Sequence, residues 1–328
     1  MKTRIILYVC IVLLGGFSIF VEKSFSQESF PVKPITLVVG FAPGGVTDIV
    51  ARALVPAASK YLGQPVVVVN KPGAAGTLGI DYLINSKPDG YTLIHQGLVS
   101  LAYGSHTMGV SWGPNDFTLL IGHSIYNFAA VVRSDAPWKN FDEWVEYVRQ
   151  NPGFKYGVFG ALSTPHIIME WIGKRLGLKL VAVHFSGGDP QGISNLLGGH
   201  IQLHCAGGGH AAQVKAGKLR SLLQFIGEPI DSDPKTVARL KEVFPDSPLE
   251  IVGLPAGEFG PKGIPASVQG KLHDAFYKAT IENPEFIKTS KLMNLGVEYH
   301  NPKELQETLT KAHENYGKLI KSLGLERK

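Results

Sequence analysis

The segment LVVGFAPGGVTD, Leu37 to Asp48, carries an apolar run into two adjacent glycines and then into a polar helix start. KPGAAGTLG, Lys71 to Gly79, repeats that order, and GALSTP and FSGGDP place small and hydroxyl residues before two further helix starts. Turns of this kind leave main-chain N–H groups unpaired at the positive end of a helix, where hydrogen bonds and the helix dipole hold a carboxylate or phosphate. The chemistry on offer is anion binding without a covalent step. Three readings of the first turn compete: a dinucleotide site, a site for a small free anion, or only the backbone freedom that glycine supplies.

The residue types weigh these readings. A dinucleotide enzyme needs an acid at the end of the second strand for the ribose, but Asn70 and Lys71 stand there and Pro43 interrupts the loop. Gly44 and Gly45 suit a turn that presents amides. Thr47 is either a helix cap or a hydroxyl facing the ligand, and Asp48 sits well near a helix start with or without one. Ser163 and Thr164 supply one cap and one spare hydroxyl. Asp189, before Pro190, reads first as an N-cap; an acid pointing into a cleft would instead select a ligand with an amino group. His200, His204 and His210 lie close in sequence, yet nothing places three of them on one face, so no metal site is expected. Cys205 with a histidine has no visible orienting group, and no nucleophilic role is assigned to it.

These residues are positioned by alternating strands and helices. Ile35 to Val39 reads as a strand, Thr47 to Leu62 as an amphipathic helix, Val66 to Val69 as a second strand, and a strand from Tyr91 follows the turn at Pro88-Asp89-Gly90. Downstream come a helix over Phe141 to Gly153, a strand over Lys155 to Val158, and a helix capped by Thr164 with Pro165 first and Gly177 last. Strands over Val181 to Phe185, Gln202 to Cys205 and Leu219 to Phe225 complete the second half. The pattern thins from Glu228 to Pro265, and Ala266 to Leu323 reads as two amphipathic helices around LGVEYHNPKE. The fold class is α/β with mostly parallel sheets flanked by helices, and ligands in such sheets bind beyond the carboxyl ends of the strands, where the glycine turns fall. Two α/β lobes facing each other would bring all four turns to one cleft.

With 328 residues, 44% hydrophobic and 18% charged, the chain is long enough for two cores. Lys2 and Arg4 precede an apolar run from Ile5 to Phe20, and Ser24-Phe25-Ser26 follows, so residues 1–26 read as a cleaved export leader. Cys205 is then the only cysteine, and the mature chain forms no internal disulfide. The formal charge of +5 includes Lys2, Arg4, Glu22 and Lys23, and no basic cluster resembles a nucleic-acid patch. Nucleic acid is not an expected partner.

PITLVVGFAPGGVTDIVARALVPAASKYLGQPVVVVNKPGAAGTLG, then KPDGYTLI, VVRSDAPWKNFDEWVEYVRQNPG, GALSTPHIIMEWI and LLGGHIQLHCAG with VKAGKLRSL resemble, in order and spacing, the periplasmic solute-binding proteins of tripartite tricarboxylate transporters, the Bug family. The likeness is dense over residues 30–226. It implies a two-lobed periplasmic binding protein with the ligand cleft between lobes, holding a carboxylate through backbone amides of the glycine loops. The lobes implied are 27–126 plus 252–328 and 127–251. The site residues carried over are Phe41, Ala42, Gly44, Gly45, Thr47 and Asp48 in the first turn and Ala74, Ala75, Gly76 and Thr77 in the second. Ala161, Ser163, Thr164, Gly187, Asp189 and Cys205 are their counterparts in the second lobe. The expected protein is a monomeric, periplasmic, non-enzymatic receptor without cofactor or metal, serving the membrane subunits of a tripartite transporter. The alternative role is a sensor accessory that presents an organic acid to a membrane kinase. Two segments depart from the family pattern. FPDSPLEIVGLPAGEFGPKGIP only loosely matches its Pro-x-x-Pro-Thr stretch, and Phe185-Ser186 stands before Gly187-Gly188 where relatives carry tyrosine and lysine.

Overall fold

The computed structural model describes residues 30–248 and 253–326, so the expected leader, 1–26, lies outside the described residues. Strand β1 (Ile35–Val39) is apolar on both faces, and all but one of its residues are buried, as a strand covered on both sides must be. It pairs in parallel with β2 (Val66–Asn70) and β3 (Thr92–Gly97). The crossovers are helix α1 (Val46–Leu62) and, after a 3-10 turn at Ala74–Gly76, helix α2 (Thr77–Ile84). Helix α3 (Leu98–Thr107) follows β3 directly and leads to β4 (Phe117–Ile125). No element is expected from sequence between Leu98 and Ile125, because α3 is buried nearly all round and mixes Ser100, Ser105, His106 and Thr107 among its apolar residues without a helical stripe.

The chain then enters a second sheet. It contains β5 (Phe128–Arg133), β6 (Phe154–Val158), β7 (Leu180–His184), β8 (His204–Ala206), β9 (Leu219–Ile226) and β10 (Ala238–Arg239), in the order β10-β9-β5-β8-β6-β7. Its helices are α4 (Phe141–Gln150), α5 (Thr164–Leu176), α6 (Gly188–Leu197), α7 (Ala211–Lys215) and α8 (Leu240–Val243). Helix α4 shows why they dock: Phe141, Trp144, Val145 and Val148 form one buried stripe at helical spacing. Each such side chain stabilises the fold by about 1.5–3 kcal/mol.

The chain returns to the first sheet through β11 (Pro255–Pro261), then α9 (Ala266–Thr280), α10 (Pro284–Leu292), β12 (Gly296–His300) and α11 (Pro302–Leu323), giving the order β12-β4-β11-β3-β1-β2. Both sheets are mixed. In each, a strand that has just arrived from the other sheet runs against both neighbours: β5 between β8 and β9, and β11 between β3 and β4. The parallel pairs expected from sequence occupy the β1-β2-β3 and β6-β7-β8 portions.

The tail departs from the expected two helices. Asn283 caps α10 by accepting from the Glu285 N–H at 3.1 Å, and Pro284 cannot continue α9, so the first helix breaks in two. The intervening LGVEYH contains β12. The sequence PAGEFGP, within the stretch where the strand–helix pattern thins, is the buried strand β11.

Candidate functional site

The first turn is built from β1 into α1. Gly44 adopts φ +80, and Gly45 is extended at φ −74, ψ 164 as the N-cap. Asp48, 3% exposed, accepts the Gly44 N–H at 2.9 Å, the Asn70 side-chain amide at 2.8 Å and Arg52 Nε at 3.0 Å. Asn70 also donates to the Phe41 carbonyl at 3.1 Å. Burial raises the Asp48 pKa, but the hydrogen bonds from Arg52, Gly44 and Asn70 outweigh it and hold the carboxyl below its ordinary value. Asp48 therefore ties the turn to β2 from beneath. Ile49 is the first α1 amide to reach the ladder, donating to Gly45 O at 3.0 Å, so the Val46 and Thr47 amides precede it at the positive helix end.

The second turn is held in an unusual backbone. Ala74 and Ala75 both have positive φ, 46 and 52, a conformation costing about 1–2 kcal/mol per residue with a Cβ. Thr77 Oγ donates to Ala74 O at 2.8 Å, and the Tyr103 hydroxyl donates to Ala75 O at 3.2 Å. In the second half, Ser163 rather than Thr164 is the N-cap of α5, one residue earlier than expected, and its buried hydroxyl finds no partner. Asp189 is not an N-cap either. Gly187 holds that position in α6, and Asp189 accepts from His204 Nε2 at 2.9 Å and from the Gly207 N–H at 2.6 Å.

These parts enclose a cavity of about 50 Å³ between the two sheets. A buried water requires roughly 10–15 Å³ on this measure, so the space suits a small molecule. Its walls include the first turns of four helices: Val46 and Thr47 of α1, Val99 and Ser100 of α3, Thr164 of α5, and Gly188, Asp189 and Pro190 of α6. Tyr103, Tyr126, Phe128 and Phe159 give it an aromatic lining. A second cavity of about 310 Å³ adjoins it, lined by Gly73 to Gly76 on one side and Gly160, Ala161 and His184 to Ser186 on the other. Phe41 and Phe159 belong to both cavities and meet edge to face, 6.0 Å between centroids.

Of the residues expected at the site, Phe41, Ala42, Gly45, Thr47, Thr164 and Asp189 line the first cavity, and Ala74, Ala75, Gly76 and Ala161 line the second. Gly44, Asp48, Thr77, Ser163, Gly187 and Cys205 line neither. Asp48 and Thr77 spend their polar atoms holding their own turns, Gly187 donates to Gln191 Oε1 at 2.8 Å, and Cys205 is fully buried with its thiol pKa pushed well up by burial. Sequence reasoning missed α3, Tyr126, Phe128, Phe159 and Gly207. For α3 a signal existed, since Gly97 ends a strand and precedes LVSLAY just as Gly45 precedes VTDIVA.

Behind the Tyr126 wall lies a polar chain. Tyr126 Oη sits 2.9 Å from His95 Nε2, His95 Nδ1 2.7 Å from Glu258, and His123 Nε2 3.1 Å from the same carboxylate, all buried. Burial raises the Glu258 pKa, but His123 and His95 outweigh it and hold the carboxyl down at about 2. Ionised, Glu258 only accepts, so His95 donates through Nδ1; its Nε2 lone pair then receives the Tyr126 proton. Burial lowers the His95 pKa, in keeping with that neutral form. The ligating atoms of His95, His123 and Glu258 lie within 4.8 Å, the one such group of metal-holding size among the described residues. Ligands on a tetrahedral ion stand roughly 3.3 Å apart at usual bond lengths, whereas the 2.7 Å contact is that of a shared proton.

A family model described as "Tripartite tricarboxylate transporter family receptor" matches residues 50–325. The chain belongs to this family. It is 34% identical over 303 residues to a UPF0065 protein of Cupriavidus necator, spanning 92% of this chain and 90% of that one. It is 30% identical to BugT of Bordetella pertussis over 58% of this chain and 60% of that one. The solved periplasmic binding protein BugD superposes with a TM-score of 0.82 at 27% identity, over 91% of this chain and all of that one. The receptor fold is thus a two-lobed periplasmic binding protein with two α/β sheets, and the cavity lies between them.

Proposed function

We propose that this receptor captures a small organic acid outside the cytoplasm and delivers it to the membrane subunits of a tripartite transporter. One observation carries the reading: a small cavity whose walls include the positive ends of four helices, with the Val46 and Thr47 amides unused by the α1 ladder. Each hydrogen bond from such an amide to a carboxylate contributes about 1.5–3 kcal/mol net. In this reading the chain is exported through its 1–26 leader, acts as a periplasmic monomer and performs no catalytic step. Its lobes, 27–126 plus 252–328 and 127–251, close on the ligand about the two crossings.

The relatives guide the choice of probes. MatC of Rhodopseudomonas palustris, solved with malate, and Rpa4515 of the same organism, solved with adipate, share the fold at 24% and 22% identity. Thermal melts against aliphatic di- and tricarboxylates, aromatic acids and amino acids test the reading. A bound ligand at 100 times its Kd stabilises by about 2.7 kcal/mol, a shift of several degrees. Gly45→Leu, at an extended backbone position that accepts a side chain, should fill the cavity and abolish the shift while leaving circular dichroism unchanged. A panel that leaves the melting temperature unmoved throughout defeats the proposal.

A further inference from the structure

Glu258 is an ionised carboxylate with no exposed surface, and its charge is balanced by histidines alone: His95 of β3 at 2.7 Å and His123 of β4 at 3.1 Å. The two rings stack, 5.3 Å between centroids, and His123 Nδ1 lies 2.8 Å from Ser124 Oγ. Beside His95, β1 presents the apolar Leu37, Val38 and Val39. On its far side His95 Nε2 meets Tyr126, whose phenol also hydrogen-bonds the Thr47 hydroxyl. Tyr126 and Thr47 both line the first cavity. His95 thus stands one hydrogen bond behind the cavity wall, between that wall and a buried acid.

The walls themselves offer no full positive charge. Neither cavity has a lysine or arginine in its lining, and the hydroxyls of Thr47, Ser100, Tyr103 and Thr164, like the helix-start amides, are neutral donors. Asp189 on the facing wall adds a carboxylate. An acid entering this space therefore brings negative charge towards two buried carboxyl groups, and buried charge without a partner is costly. In the empty cleft the Tyr126 proton also points the wrong way, back to His95, so the phenol turns lone pairs to the arriving anion.

A single proton on His95 Nε2 corrects both faults. The ring, already donating to Glu258 through Nδ1, becomes an imidazolium paired with that carboxylate, and its Nε2–H donates to the phenol oxygen. The phenol proton is then free to turn into the cavity. Building on the receptor reading, we infer that capture of the acid is coupled to uptake of one proton at His95, a positioning residue that turns the Tyr126 hydroxyl towards the ligand. The proton comes from water in the open cleft: Tyr126 passes its own to Nε2 and takes another in its place. Burial keeps His95 neutral in the empty protein, so the proton arrives with the ligand and not before it.

Melts at about pH 7 first select a probe, the compound among malate, adipate, benzoate and glutamate with the largest shift. Calorimetry of that compound with the full mature chain, in phosphate and in Tris, then counts protons, because the two buffers release them with different heats. Between about pH 7 and 8 the ligand carboxylates are already ionised and take up none. The expected count is about one proton per ligand, with Kd rising about tenfold per pH unit where uptake is complete. In His95→Gln, whose side chain hydrogen-bonds but takes no proton, the uptake and the pH slope vanish. Tyr126→Phe, which leaves the cluster whole and removes only its link to the cavity, gives the same loss and decides the matter if His95→Gln does not fold. A probe that binds with no proton uptake overturns this inference and leaves the receptor reading standing. Uptake that survives a folded variant places the proton elsewhere, at a group such as His184 of the second cavity, and overturns the assignment to His95. Silence from these compounds and from the wider acid panel defeats the receptor reading and this inference with it.

Discussion

His210 is fully buried, and neither ring nitrogen has a partner. Burial lowers its pKa from 6.5 to about 4, so the folded chain resists a proton that the unfolded chain takes up near pH 6.5. Stability is therefore complete above about pH 6.5 and is lost as pH falls towards 4, by about 3 kcal/mol at the far end. Urea midpoints measured across that range should fall, and His210→Phe should flatten the fall. The Glu258 contribution is lost separately and lower, between 4.5 and about 2, so the two slopes are distinguishable. Little at this scale was legible beforehand. Thr47 and Thr164 were recognisable because a hydroxyl beside a helix start has few places to point. Glu258 and His95 lie 163 residues apart and meet only because β11 pairs with β3 in a register that sets them opposite one another. No local pattern encodes that register, and Asp189 with His204 depends in the same way on how α6 lies over β8.

The turn between β1 and α1 is a tie between three elements, with Asp48 reaching back to Gly44, along α1 to Arg52 and across to Asn70 of β2. Asp48→Asn should cost about 1–3 kcal/mol, because it leaves a buried donor without its charged acceptor. It should also weaken ligand binding without touching the ligand, which melts with and without a bound compound would show as a smaller shift. Elements with a clear signature were read correctly: the glycine turns after β1 and β2, the Gly177 end of α5, and the amphipathic stripe of α4. Those without one were not. Helix α3 is buried on nearly every side and so carries no polar–apolar period, and β11 is written in prolines and glycines because it must pass close to β4. A Cβ on Gly257 would stand 1.8 Å from Ile121 O.

At the scale of the molecule, the halves touch where Gly160, after β6, meets Ala75 of the second turn. A Cβ on Gly160 would lie 3.3 Å from the Ala75 Cβ, so a methyl is tight and anything larger must push the halves apart. Gly160→Val should therefore lower ligand affinity and enlarge the radius of gyration of the ligand-bound form in solution scattering, with the melting temperature of the empty protein little changed. An unaltered bound radius would show that this contact does not limit closure. The two-sheet plan was legible from the alternation of strands and helices, but the way the chain enters each sheet against its neighbours was not, since strand direction leaves no trace in composition. Only Tyr126 and Asn127 separate β4 of one sheet from β5 of the other, and Tyr126 is also part of the cavity wall. If the lobes close as proposed, jaw lining and fulcrum share a dipeptide. On that reading, evolution cannot retune the grip at Tyr126 without altering the swing, so new cargo preferences are more freely acquired on the far wall, at residues such as Asp189 that lie outside the two crossings.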